Sequence, residues 1–328
     1  MFGQLNLKFR NIFVKHIIQS LMKKLSVLIL FCLLAGSLIS SGQTISKDEL
    51  IFLTSEWKGE RFPDGRPRIS DDLLIRAKKL SIEDGWQILN NEGYRNQFEG
   101  NWKMVRDDVP IIGRAVTATF LPSRPDIEKN IKERGWKNGF AGNTNSWPIS
   151  VLQKGDVYVA SCFGKVQNGT MIGDMLATSI YAKTGTGVIF DAAARDLTGI
   201  TAIEGFNAYV RDFHPSFLTE VVLTGLNTPT RIGQAIVLPG DLVLTDKEGV
   251  LFIPAHMAEK VIATAEFMTA RASFSRAMLK EGKYSSGQMD SQWTDDIKEH
   301  FLKWLSENSS DTKMTRAQLD EFMSKRTW

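Results

Sequence analysis

Val157-Tyr-Val-Ala-Ser-Cys-Phe-Gly164, Gly173-Asp-Met-Leu-Ala177 and Gly187-Val-Ile-Phe-Asp191 follow one another closely and decide how the chain is read. The first run is rich in β-branched and aromatic residues, as a strand requires. Gly164 and Asn168-Gly169 then mark a loop. A helix is predicted from Asp174 to Lys183, closed by Gly185, so Gly185-Thr-Gly187 reads as a helix C-cap and the apolar run after it as a second strand. A strand, a helix and a strand in succession are the unit of an α/β domain.

Further strands are predicted outward from this unit, at 113–120, 208–211, 235–238, 241–245 and 250–253. Upstream, 47–68 reads as a short helix and a turn-rich arm. Ser70-Asp71-Asp72 and Ser81 with Asp84 start two packing helices. Downstream, helices are predicted over 257–279 and 293–305, with Thr315 and Gln318 capping a last one. Gly282 and Ser285-Ser286-Gly287 make 280–292 a linker.

With 43% hydrophobic and 23% charged residues, the composition is that of a folded globular chain. The first 42 residues stand apart, with five basic residues, no acidic ones and an apolar run over 25–39. Lys23-Lys24 and that run match the charged and apolar regions of a signal peptide starting at Met22, with Ser40 and Gly42 before a cleavage point at Gln43. An exported protein is expected, with no stable membrane insertion after cleavage; an uncleaved anchor is the alternative. Without the leader, 35 Lys+Arg face 37 Asp+Glu, and no basic stripe marks a nucleic-acid partner. Cys162 would then be the one cysteine, read as a buried strand residue, and the four histidines show no catalytic spacing. His214, after a strand, is the one placed to reach the turn at 192–196, although a turn histidine is more often simply solvated.

The chemistry gathers at Asp174, Arg195 and Asp196. The first-turn amides of Met175 and Leu176, with the helix dipole, suit an anion. Arg195 can grip a carboxylate with two parallel hydrogen bonds. Asp196 offers hard oxygens to Mg²⁺ or Mn²⁺, and Asp174 can hold or deprotonate a water. A surface ion pair and a helix-start aspartate are the plain alternative.

Twenty residues separate Asp174 from Arg195, an Asp-x20-Arg-Asp motif. Together with Pro110-Ile-Ile-Gly-Arg-Ala-Val-Thr-Ala118, Gly155-Asp-Val157 and Pro239-Gly-Asp-Leu-Val-Leu-Thr-Asp-Lys-Glu-Gly-Val250, it resembles the regulator of ribonuclease activity A (RraA-like) family. That family includes the class II 4-hydroxy-4-methyl-2-oxoglutarate aldolases and was long labelled dimethylmenaquinone methyltransferase. The resemblance implies a swivelling β/β/α sandwich, assembled as a homotrimer or hexamer with sites near subunit boundaries.

It also implies a metal on Asp196, the pyruvyl carboxylate on Arg195 and the amides of Met175 and Leu176, and a metal-held water positioned by Asp174. The metal would polarise a 2-keto group so that carbon–carbon cleavage leaves a stabilised pyruvate enolate, from 4-hydroxy-4-methyl-2-oxoglutarate or from oxaloacetate. Three features depart from the family pattern. Ala192 stands where a glycine is usual; 272–279 holds no carboxylate to match the Glu that aldolases take from an adjacent subunit; and the arm and tail are additions.

No adenosylmethionine-binding turn accompanies the family's old methyltransferase label. The expected plan is a leader over 1–42, an arm with packing helices over 43–100, an RraA-like core over 101–265 and a helical extension over 266–328. The expected function is a metal-dependent lyase, the alternative a non-catalytic binding or regulatory protein that keeps the anion pocket. Export argues against a partner ribonuclease in the cytoplasm.

Overall fold

A computed structural model describes residues 44–308 and 315–324, so the leader and its cleavage point lie outside the described residues. The helices are α1 Lys47–Leu53, α2 Asp71–Ala77, α3 Ile82–Asn91, α4 Pro125–Lys137, α5 Trp147–Val151, α6 Asp174–Thr184, α7 Leu197–Thr201, α8 Ala258–Lys280, α9 Ser286–Asp290, α10 Asp295–Asn308 and α11 Arg316–Ser324. The strands are β1 Phe98–Glu99, β2 Lys103–Met104, β3 Ile112–Pro122, β4 Asp156–Ile172, β5 Val188–Ala194, β6 Ala208–Phe213, β7 Val221–Leu226, β8 Thr230–Ile232, β9 Ala235–Val237, β10 Leu242–Thr245 and β11 Val250–Ile253.

Strands β3, β4, β5 and β6 lie side by side in chain order and parallel, while β10, β11 and β1 extend the sheet antiparallel beyond β3. Crossovers between neighbouring parallel strands are almost always right-handed, which puts their helices on one face. Side chains alternate accordingly. Tyr158, Ala160, Phe190 and Val210 pack with Ile131, Trp147, Ala177 and Ile180 under the helices, whereas Val157, Val159 and Ile189 meet Ile232, Ala235 and Val237 of the β8–β9 hairpin. Hairpin, sheet and helices are the three layers of the β/β/α sandwich. Burial on both faces explains why the parallel strands read as continuous apolar runs.

Helices α2, α3 and α8 cover β10 and β11 through Leu74, Ile88, Val261 and Ile262 against Leu242, Leu251 and Ile253. Both packing helices start as their sequences predict: Ser70 Oγ accepts from Leu73 N–H and Ser81 Oγ from Asp84 N–H. Beyond Ala265, α8 joins α9, α10 and α11 around an aromatic core of Phe267, Phe274, Trp293 and Phe301.

Some expectations need correction. The run 280–292 is no linker: Ser285 and Gln288 form a capping box for α9, and Met289 and Trp293 are buried. Strand β5 continues through Ala194 rather than turning at Ala192, so Arg195-Asp196 marks its true end. Strand β4 runs to Ile172 through an irregular excursion with left-handed Phe163, Gly164 and Asn168. Strand β7 and helix α4 had no expectation. The first is interrupted in sequence by Thr224-Gly225, and the second buries only Ile131 and Gly135 along a charged helix.

Candidate active site

Asp174 opens α6 two residues after β4 ends at Ile172, and Asp196 caps α7 two residues after β5 ends at Ala194. The two strands are parallel neighbours with Ile172 opposite Ala194, and Arg195 N–H donates to the Ile172 carbonyl at 3.0 Å. The starts of the two helices are therefore held together at the carboxyl edge of the sheet, the edge where open α/β sheets take ligands.

The two starts interlock through glycine. A Cβ on Gly173 would lie 2.2 Å from Asp196 Oδ2 and 3.3 Å from Arg195 Nε, so both polar side chains press against that bare backbone. Reciprocally, a Cβ on Gly199 of α7 would lie 2.8 Å from Asp174 Cβ and 3.0 Å from its Oδ2. Asp196 adopts left-handed backbone at φ 57°, a conformation that costs free energy unless its surroundings impose it.

The three residues are thus brought to one edge. Asp174 Oδ1 accepts from Met175 N–H at 2.7 Å, leaving Oδ2 for other work. That bond occupies one of the two amides assigned to an anion. Leu176 N–H, in the first turn, has no intrahelical acceptor. Arg195 meets Asp196 only loosely, Nε to Oδ2 at 3.5 Å, and among the described residues its Nη groups have no hydrogen-bond partner. Both side chains are partly exposed.

Asp196 fits a divalent cation: its carboxylate rests in the cradle that a Cβ at 173 would fill and makes no hydrogen bond to the α7 amides. One carboxylate with waters, and Asp174 to orient one of them, suffices for Mg²⁺ or Mn²⁺. A separate trio, Glu83, Asp246 and Glu248, brings oxygens within 4.8 Å of one another. It sits at the β10–β11 turn, by the start of β3 and at the opposite edge of the sheet. A hydrogen bond with Glu83 holds the Glu248 carboxyl above its ordinary range.

Cys162 is buried on β4, and burial pushes its thiol up to about 12, so it is no nucleophile at neutral pH. His214 reaches the same edge, its N–H donating to the Ala194 carbonyl at 3.0 Å, but its Nδ1 contacts Ser216 Oγ at 3.0 Å. Glu266 is gripped by Arg76 through two hydrogen bonds of 2.9 and 2.8 Å, and Glu281 caps α8. Neither carboxylate reaches the site within the protomer.

Sequence reasoning missed Phe217, whose ring lies 4.6 Å from the Arg195 guanidinium carbon. Its one signal was a lone aromatic in the polar turn His214-Pro-Ser-Phe217.

The family model described as RraA-like (Aldolase/RraA) matches residues 67–252. Among solved structures, RraAS2 of Streptomyces coelicolor, an unusual member of the RNase ES inhibitor RraA protein family, is 24% identical. It covers 64% of this chain and 99% of its own, with a TM-score of 0.55. An uncharacterized protein from Pseudomonas syringae pv. tomato is 18% identical over 70% of this chain and 98% of its own, at TM-score 0.54. A protein reported among novel cellulases from microbes of the gut ecosystem is 19% identical over 70% and 96%, at 0.56. At these identities the likeness is one of fold.

Proposed function

Because the chain belongs to the RraA-like family, we propose that it is a divalent-metal-dependent carbon–carbon lyase acting on a small 2-keto acid. The substrates proposed are 4-hydroxy-4-methyl-2-oxoglutarate and oxaloacetate. The observation that carries this reading is the interlock of Asp174, Arg195 and Asp196 through Gly173 and Gly199.

In this reading the free Nη groups of Arg195 hold the carboxylate next to the keto carbon, aided by Leu176 N–H and the α6 dipole. Asp196 would hold the cation, which when bound would supply Lewis acidity at the keto oxygen. Asp174 Oδ2, not engaged by Met175 N–H, is left to orient a water or take the proton of a substrate hydroxyl as the carbon–carbon bond breaks. With oxaloacetate the same site releases CO₂.

Incubation with oxaloacetate and Mn²⁺ is expected to give pyruvate, EDTA to abolish it, and Arg195→Ala to lower kcat/KM by about 100-fold, the loss of a charged, bidentate contact. Equal rates in Arg195→Ala and the unsubstituted protein would refute the lyase reading.

The commitment of Glu266 to Arg76 favours a second reading, a binding protein that keeps the anion pocket without turnover. It is distinguished by Arg195-dependent thermal stabilisation with pyruvate and no product. We also propose export and a homotrimeric or hexameric assembly. N-terminal sequencing of the mature protein is expected to begin near Gln43, and light scattering to give three or six copies.

A further inference from the structure

We propose that Phe217 is a positioning residue that holds the Arg195 guanidinium in its carboxylate-gripping orientation; this rests on the carboxylate-binding role proposed for Arg195. An arginine side chain carries substantial rotamer freedom. The Nε contact to Asp196 at 3.5 Å is too long to fix the plane of the fork. What lies against that plane is the Phe217 ring, 4.6 Å from the guanidinium carbon, a cation–π contact.

The ring itself is 66% exposed, an unusual place for a phenylalanine, yet the turn that carries it is pinned on both sides. Ser216 Oγ accepts from Asn168 N–H at 2.8 Å and contacts Thr170 Oγ1 at 3.3 Å and His214 Nδ1 at 3.0 Å, while Ser216 N–H donates to that Nδ1 at 3.2 Å. Leu218 bridges to Gly169 and is buried, and Thr219 N–H donates to the Asn168 carbonyl at 3.0 Å.

The β4 excursion and the 214–218 turn are thereby tied to each other, and the residue between the ties projects onto Arg195. His214 takes part by fixing the turn that presents the ring. With one face of the guanidinium covered and Nε turned to Asp196, the two Nη groups are left pointing to an incoming carboxylate, their orientation set before substrate arrives.

The test is calorimetric binding of pyruvate to the full chain in Mg²⁺, with melting temperatures and oxaloacetate kinetics alongside. Phe217→Ala and Phe217→Leu are each expected to weaken pyruvate binding about fivefold to tenfold, the range of a partly desolvated cation–π contact. Phe217→Tyr stays within about twofold, and KM rises more than kcat falls. Melting temperatures stay unchanged, since the ring is exposed. Pyruvate binding that depends on Arg195 but is equal in Phe217→Ala overturns the role of Phe217 alone, as does Phe217→Leu binding like the unsubstituted chain. No pyruvate binding by the unsubstituted protein overturns the clamp itself and the positioning role with it.

Discussion

Replacing Gly173 by alanine separates the site from the fold. Gly173 has φ −119° and ψ −168°, extended backbone open to any residue, so the substitution adds no backbone strain. The added Cβ would sit 2.2 Å from Asp196 Oδ2, where ordinary contact begins at 3.4 Å, so the oxygen must retreat by about 1.2 Å. Arg195 Nε, at 3.3 Å, must give by about 0.1 Å. Asp196 is partly exposed and its carboxylate can swing into solvent, so the melting temperature should fall by less than about 2 °C, as for a surface change within about 0.5 kcal/mol. Misplacing a functional group by about 1 Å costs on the order of 10²-fold in rate. Pyruvate formation from oxaloacetate in Gly173→Ala is therefore expected to drop about 100-fold in kcat/KM, with a parallel loss of Mn²⁺ affinity by calorimetry. Gly199→Ala crowds Asp174 less, at 2.8 and 3.0 Å, and should cost roughly tenfold with Mn²⁺ affinity retained. A Gly173→Ala variant that binds Mn²⁺ and forms pyruvate like the unsubstituted protein would refute the assignment of the cation to Asp196.

Burial pushes the Asp241 carboxyl up to about 7, even though Leu238 and Ala255 N–H groups donate to it. The native state keeps this proton to higher pH than the unfolded chain does. The group's contribution to stability is thus full below its ordinary value of 3.8 and is lost as pH rises through about 7. That decline should vanish from melting curves of Asp241→Asn taken over the same range, and an identical pH profile would contradict it. Glu266→Gln, by contrast, loosens a partly exposed clamp to Arg76 worth at most about 1 kcal/mol and should leave oxaloacetate turnover within about twofold; a large fall in kcat would make Glu266 the carboxylate donated between subunits.

The sandwich was legible where local signals agree. Serine caps at 70 and 81, apolar runs at 188–190 and 250–253 and the left-handed Gly185 each specify their element without help from distant contacts. Elements defined by long-range packing were not legible. Helix α4 is held by Gly135 lying on the Trp147 ring, where a Cβ would sit 2.1 Å away, and no periodicity reveals a partner twelve residues on. The site shows the same division. Asp174, Arg195 and Asp196 could be singled out because their spacing is a property of the chain. The glycine interlock and the Phe217 stack arise only when β4, β5 and the 214–218 turn reach the same edge.

That edge also decides what can tune the chemistry within one protomer. Arg66, just before the family match, is fully buried, stacks on Phe62 and reaches Asp156 at the start of β4 at 3.3 Å. Arg76 ties α2 to α8, and the aromatic core of the C-terminal helices builds outward from α8. These anchors of the arm and the tail belong to the β4 start and to the helical cover of β10 and β11, whereas Asp174, Arg195 and Asp196 follow the ends of β4 and β5. The segments that border the site belong to the core itself: the excursion at 163–169 and the turn at 214–218, pinned to each other and carrying the exposed rings Phe163 and Phe217. Differences in substrate preference between this chain and shorter relatives should therefore follow exchanges of these two segments. Changes to the arm should register first in stability, because they strip Asp156 of a buried counter-charge.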